Sequence, residues 1–198
     1  MHGRSIVHTK SMQPNLLPRL TEDEYLALDR AAEYKSEFVG GEMFAMSGGK
    51  LRHSDIGVSV VLELAVKLRP RGCRVFNSDA RVLTPKSRSY LYPDATVVCG
   101  PVERDQDDIL LNPVVIVEVL SPSTADYDHG KKFAMYREIP SFRDYLMVHT
   151  DSFWVEHYTK GDNGIWQFKE YEGMDGEITL ASVGCTISMK SIYDGVVE

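Results

Sequence analysis

The feature that most constrains this chain is an apolar run broken by one acid, Val114-Val115-Ile116-Val117-Glu118-Val119-Leu120. A strand apolar at nearly every position is covered on both faces, so the run predicts a central strand of a sheet. A carboxylate inside such a strand is costly unless it is paired, hydrogen-bonded or bound to a cation. Glu118 therefore demands partners.

Two other segments can supply them. Tyr92-Pro93-Asp94 stands immediately before Ala95-Thr96-Val97-Val98, a second apolar strand. If the two strands are neighbours, Asp94 and Glu118 can share one oxygen-ligated cation, and a hard ion such as Mg2+ or Mn2+ suits carboxylate ligands. Downstream, Asp128, Lys132 and Tyr136 recur at four-residue intervals and share one face of a helix. A lysine there can orient or help deprotonate a metal-bound water, or stabilise charge in a phosphoryl-transfer transition state. The plainer alternative is a surface Asp128–Lys132 ion pair worth little, with Tyr136 a core aromatic.

Around this centre the order of elements predicts one domain. Residues 1–18 lack periodicity and form an N-terminal arm, and residues 19–198 form a single domain. Thr21-Glu22-Asp23-Glu24 is a capping box that starts a helix running to about Ala32 and burying Tyr25, Leu26 and Leu28. Glu37 to Met46 reads as two short strands around Gly40-Gly41, and Ser47-Gly48-Gly49 ends that pattern. Ile56, Val60, Val61, Leu64 and Leu68 have helical spacing from about Arg52, with Pro70 and Gly72 as the stop.

Extended runs follow at Cys73–Thr84, Leu91–Cys99 and Pro113–Leu120, with an exposed acidic loop at Pro101–Asn112. Ser123 or Thr124 caps a helix reaching about Glu138, and strands at Phe142–His149 and Phe153–Tyr158 come next. Short strands separated by glycine turns complete the chain. The fold class is α/β (α+β): a mixed central sheet flanked by helices, with additional C-terminal strands.

Composition narrows the function. The apolar and charged fractions, 43% and 26%, are those of an ordinary globular domain, and no run approaches the length of a membrane span. The scattered cysteines Cys73, Cys99 and Cys185 read as core thiols of a cytoplasmic protein. The histidines show no zinc spacing, which argues against a structural zinc site. A net charge of -7 opposes generic coating by nucleic acid. Yet Lys67, Arg69, Arg71, Arg74, Arg81, Lys86 and Arg88 cluster against the single acid Asp79, either as a solvated helix end and loop or as a phosphate-facing patch.

Tyr92-Pro93-Asp94, then Val117-Glu118-Val119-Leu120-Ser121-Pro122-Ser123-Thr124, then Tyr127-Asp128 with Lys132 and Tyr136, resemble the signature of the Uma-type putative restriction endonuclease family. That family belongs to the PD-(D/E)XK nuclease superfamily, and the similarity spans Leu20 to the C-terminus. The resemblance implies a restriction-endonuclease-like core and cleavage of DNA dependent on a divalent metal. It makes Asp94 and Glu118 the metal-binding acids. The pattern departs at Glu118-Val119-Leu120, where leucine replaces the expected lysine. In the resembling family that lysine moves to the next helix, which points to Lys132, with Lys131 as a rival.

The same resemblance makes Glu37 a candidate further ligand, direct or through water, and His53 a candidate for a helix-start hydrogen bond, a backbone phosphate contact or catalysis. Arg71, Arg74, Arg81, Lys86 and Arg88 are candidate phosphate contacts. Asp79 and Arg81 are read as a structural pair, and Trp154 and Trp166 as core residues. The leading expectation is a Mg2+-dependent endonuclease, with a homodimer suited to cutting both strands. The alternatives are a catalytically silent nucleic-acid- or protein-binding module on the same fold, and a hydrolase of another phosphoester.

Overall fold

The computed structural model describes residues 19–46, 49–106, 108–121 and 125–197. The expected arm at 1–18, the Ser47-Gly48 part of the glycine break and the Ser123/Thr124 cap lie outside these residues. The first half of the chain forms α1 (Glu22–Ala31), β1 (Ser36–Val39), β2 (Glu42–Ala45), α2 (Leu51–Leu68), β3 (Cys73–Asn77), β4 (Arg81–Leu83), β5 (Tyr90–Leu91) and β6 (Ala95–Cys99). Then come β7 (Arg104–Asp105), β8 (Ile109–Leu110), β9 (Val115–Leu120), α3 (Ala125–Tyr127), a π-helical turn at Asp128–Lys132 and α4 (Phe133–Tyr136). The remainder is β10 (Asp144–His149), β11 (Trp154–Lys160), β12 (Trp166–Glu172), β13 (Glu177–Leu180), β14 (Cys185–Ser188) and α5 (Met189–Tyr193).

A six-stranded sheet in the order β12-β11-β10-β9-β6-β3 forms the centre. β9 and β10 are parallel, and the α3–α4 segment between them is the crossover that a parallel pair requires. The other pairs in this sheet are antiparallel. Val115, Val117 and Val119 pack with Ile56, Val60, Leu64 and Leu68 of α2 on one face. Ile116 and Leu120 pack with Phe133, Met135 and Tyr136 on the other. The apolar run around Glu118 is thus the buried strand between two helical layers, and all its residues from Val115 to Leu120 are buried.

A second sheet, β2-β1-β5-β4-β8-β7, joins the hairpin at Gly40-Gly41 to the middle of the chain. Both glycines have positive φ, +62° and +87°, as the tight turn demands. Beneath this sheet α1 buries Tyr25 and Leu26 with Phe38, Leu83, Tyr90 and Ile109. The capping box is present: Thr21 Oγ1 accepts from Glu24 N–H, and Thr21 N–H donates to Glu24 Oε2 at 2.7 Å. The C-terminal hairpin β13–β14 and α5 close over the α2 side of the central sheet. Among the described residues no helix is long and apolar enough to cross a membrane.

Several expectations are corrected. Leu28 is exposed, and Asp29 takes the inward position on α1. The runs 73–84 and 91–99 do not each form one strand: β3 and β6 lie in the central sheet, whereas β4 and β5 lie in the second. Turns at Ser78-Asp79 and Pro93-Asp94 carry the chain between sheets. The segment 101–112 is not all exposed loop, because Ile109 and Leu110 are buried in β8. Asp79 pairs with Lys35 and not with Arg81, which pairs with Asp29 and Asp108.

The cysteines differ too. Cys73 and Cys99 are direct partners in the β3–β6 register and are joined as a disulfide, which leaves Cys185 as the free, buried thiol. Denatured without reductant the chain should show one titratable thiol, and after reduction three, a count that thiol labelling reads directly.

Candidate functional site

The antiparallel register of β6 and β9 pairs Ala95 with Val117. Asp94 lies in the bend just before Ala95, and Glu118 follows Val117 on β9. The kink at Pro93-Asp94 releases the Asp94 side chain from the ladder, and it turns toward β9, where Asp94 Oδ2 accepts the Val119 N–H at 2.7 Å. Asp94 is partly exposed, whereas Glu118 is 3% exposed. Asp94 is thus bound to the backbone N–H of the residue that follows Glu118.

Lys132 is the buried counter-charge. Its Nζ lies 3.0 Å from Glu37 Oε1, 3.0 Å from Glu118 Oε1 and 3.5 Å from Asp128 Oδ1. Lys131 is exposed. The Asp128–Lys132 pair is accordingly a buried contact and not the surface pair of the plainer alternative. It sits in the π-helical turn, closed by a Phe133 N–H to Asp128 carbonyl hydrogen bond. Single π turns of this kind re-aim side chains and recur at functional sites. Lys132 Nζ also lies 5.9 Å from the centre of the Tyr127 ring.

Tyr136 reaches the same carboxylate from α4, donating its hydroxyl to Glu118 Oε1 at 2.8 Å. Tyr136→Phe would leave that buried acceptor without this donor. It should cost about 1–3 kcal/mol in urea unfolding with the m-value unchanged.

Glu37 arrives from β1, and its Oε1 also accepts the Tyr92 N–H at 3.2 Å. His53, in the first turn of α2, places Nε2 3.5 Å from Asp94 Oδ2. The ring is pressed against Gly49: a Cβ at that position would lie 2.8 Å from His53 Nδ1. The Asp94 carboxylate holds the His53 pKa above its ordinary value, against the opposing effect of burial.

The electrostatics are lopsided. Glu37, Glu118 and Asp128 surround one ammonium, and Asp94 faces one imidazole. Burial raises the Glu118 pKa well above that of an ordinary carboxyl, and Asp128, Asp94 and Glu37 raise it further against the pull of Lys132. For Lys132 burial acts in the opposite direction, but Glu118, Glu37 and Asp128 outweigh it and keep the ammonium protonated. Burial leads for Glu118 and the neighbouring acids add to it, whereas for Lys132 those acids prevail over burial; a hard divalent cation would relieve their crowding. The donors suit such an ion, being carboxylate oxygens without thiolates.

Asp29 was invisible as a site residue in the sequence. It accepts from Ser36 N–H at 2.8 Å and from the Tyr92 hydroxyl at 2.8 Å, tying α1 to β1 and to the Tyr-Pro-Asp segment. Its only linear signal is that an acid occupies an inward helical position next to Tyr25 and Leu26.

The candidate phosphate contacts are not gathered in one place. Arg81 is buried and held by Asp29 and Asp108, so it is not presented to a ligand. Arg88 pairs with Glu22, and Arg71 donates to the Gly184 carbonyl. Arg74 and Lys86 are exposed on β3 and in the β4–β5 connection. Trp166 packs edge-on against Phe133, and Trp154 stacks on His149 at 4.2 Å between ring centres.

Comparison with known proteins agrees with this architecture. A crystal structure described as a putative nuclease belonging to DUF820, from Anabaena variabilis, superposes with a TM-score of 0.73 at 19% identity, over 88% of this chain and 98% of that one. Two Synechocystis proteins, uncharacterized protein slr1290 and uncharacterized protein sll1609, are each 35% identical to this chain. The first alignment covers 90% of this chain and 94% of the relative, and the second 82% and 93%. Residues 22–190 match the Uma2 family model, described as "Putative restriction endonuclease". With the family model matching most of its length, the chain belongs to the Uma2 family.

Proposed function

We propose that this protein is an endonuclease that hydrolyses DNA phosphodiester bonds with the help of Mg2+ or Mn2+. The observation that carries the reading is the convergence of Glu37, Glu118 and Asp128 on the buried ammonium of Lys132, with Asp94 held by the N–H of Val119, the residue after Glu118. Family membership supports the reaction class.

In this reading Asp94 and Glu118 hold the metal and Glu37 adds a third carboxylate, directly or through water. The ion supplies Lewis acidity toward a phosphoryl oxygen and a water that ionises near neutral pH. Asp94 is the partly exposed acid, so substrate reaches the site from its side. The Val119 N–H and His53 both engage Asp94 Oδ2 and orient that carboxylate. His53 is placed for contact with a backbone phosphate, and Tyr136 holds Glu118 in position.

Lys132 acts from the helix and not from its usual place on the strand. Its neighbours keep it protonated, which favours positioning the attacking water and balancing phosphoryl charge over proton abstraction. Asp128 fixes that ammonium one turn away.

The test is incubation of supercoiled plasmid and of single-stranded DNA with the protein in Mg2+, Mn2+ or EDTA. Metal-dependent cutting by the wild type, lost in Asp94→Ala and Glu118→Gln, supports the reading. Metal-dependent DNA binding without cutting would support the silent binding module instead. Linear product formed ahead of nicked circles would support a homodimer.

A further inference from the structure

A second cluster lies on the same sheet face, clear of the carboxylates. The register runs Glu118 to Met147 to Glu156 across β9, β10 and β11. Glu156 is therefore two strands from Glu118, roughly 10 Å at ordinary strand spacing. Glu156 is 5% exposed, so it too needs partners. They are His149 from the end of β10 and His129 from the π-helical turn. Both Nε2 atoms lie 2.8 Å from one oxygen, Glu156 Oε1. The three candidate ligand atoms fall within 4.8 Å of one another.

Proton accounting makes this arrangement unusual. His129 Nδ1 lies 2.6 Å from the Ala125 carbonyl oxygen. A carbonyl only accepts, so Nδ1 carries a proton. In the neutral ring Nε2 is then a bare lone pair, and it faces a carboxylate oxygen that is also an acceptor. Two facing acceptors at that distance need a cation between them, either a proton carried by one of the two groups or a metal. A ligating imidazole whose other nitrogen donates to a backbone carbonyl is the usual arrangement at metal sites. Stacking on Trp154, with the planes 14° apart, holds the plane of the His149 ring.

We propose that His129, His149 and Glu156 form a second metal site, for a borderline divalent cation of the Zn2+ class. Two imidazoles and one carboxylate suit Zn2+ and disfavour Mg2+, which prefers oxygen. Ligands at about 2.0–2.1 Å from a tetrahedral ion are roughly 3.3 Å apart, inside the range of separations here, so small ring movements suffice. Three protein ligands leave one position for water, and His129 is partly open to solvent. No linear motif marks the site because its ligands come from three elements, which is why histidine spacing argued against zinc. The ion would tie the turn that carries Asp128 and Lys132 to β10 and β11.

The test is titration of the EDTA-stripped full chain with ZnCl2, read by calorimetry and thermal melting, with CoCl2 as a spectroscopic probe. The expected result is one Zn2+ bound per chain with a rise in Tm. Both should persist in Glu118→Gln, and affinity should fall at least ~100-fold in His129→Ala and in His149→Ala. His129 is partly exposed, so its variant guards against a folding defect in the His149 variant, and metal-free melting checks both. Co2+ should give the intense visible bands of a tetrahedral nitrogen–oxygen site in Glu118→Gln and lose them in His129→Ala. Absence of Zn2+ binding by the wild type overturns the proposal. So does Zn2+ binding that survives both histidine substitutions, or that disappears in Glu118→Gln.

Discussion

Asp94→Ala and Glu118→Gln are expected to lower metal-dependent plasmid cleavage by at least about 10²–10³-fold, the range seen when one preorganised electrostatic contact is removed from an active site. The two variants should fail for the same reason but differ in stability. Asp94 accepts the Val119 N–H, so its removal leaves a backbone donor without that partner and should cost about 1–3 kcal/mol. Glu118→Gln replaces a buried charge in an already negative site with a neutral group of the same shape.

Burial raises the Glu118 pKa, so the folded chain binds a proton there more readily than the unfolded chain. That contribution to stability is complete below the unfolded pKa and is lost as pH rises through the folded value. Glutamine removes the ionisation and with it the loss at higher pH. Glu118→Gln should therefore melt at or above the wild-type temperature at neutral pH without metal, and lack the rise in Tm that millimolar Mn2+ is expected to give the wild type. A large drop in metal-free Tm would contradict the charge imbalance inferred for the site.

Lys132→Met is expected to produce the largest loss of stability. It removes the ammonium that faces Glu37, Glu118 and Asp128 and leaves those buried carboxylates without it. Breaking a buried pair by deleting one partner costs about 3–5 kcal/mol, since the other charge stays behind. Protonation of Glu118 can absorb part of this, so the loss should shrink as pH is lowered, and Glu118→Gln/Lys132→Met should be more stable than Lys132→Met alone. Equilibrium urea unfolding of the four proteins completes the double-mutant cycle. Lys131→Met, at an exposed position, should stay within about 0.5 kcal/mol of the wild type. Equal effects at the two lysines would remove Lys132 from its central place.

Much of this arrangement was legible in the residue order, because the residues concerned carry strong local signals. An acid in an apolar strand must have partners, and Glu118 has them in Lys132 and Tyr136. Four-residue spacing put Asp128, Lys132 and Tyr136 on one face, though not the π-helical turn that brings Lys132 between three carboxylates. Ionic choices were less legible. Asp79 and Arg81 are close in sequence, yet Lys35, Asp29 and Asp108 are their partners because β3 and β4 belong to different sheets. The same split disperses the basic segment, with Arg81 buried and Arg88 drawn to Glu22. Cys73 opposite Cys99 and the His129–His149–Glu156 cluster depend on register and crossover, which no linear spacing encodes.

The most direct test of the central claim is anomalous diffraction from a crystal of the full chain soaked in Mn2+. The account predicts an anomalous peak bridged by the Asp94 and Glu118 carboxylates, with Glu37 within direct or water-mediated reach and Lys132 beside it. An ordered crystal with manganese elsewhere, or with no peak between Asp94 and Glu118 at millimolar Mn2+, would contradict it.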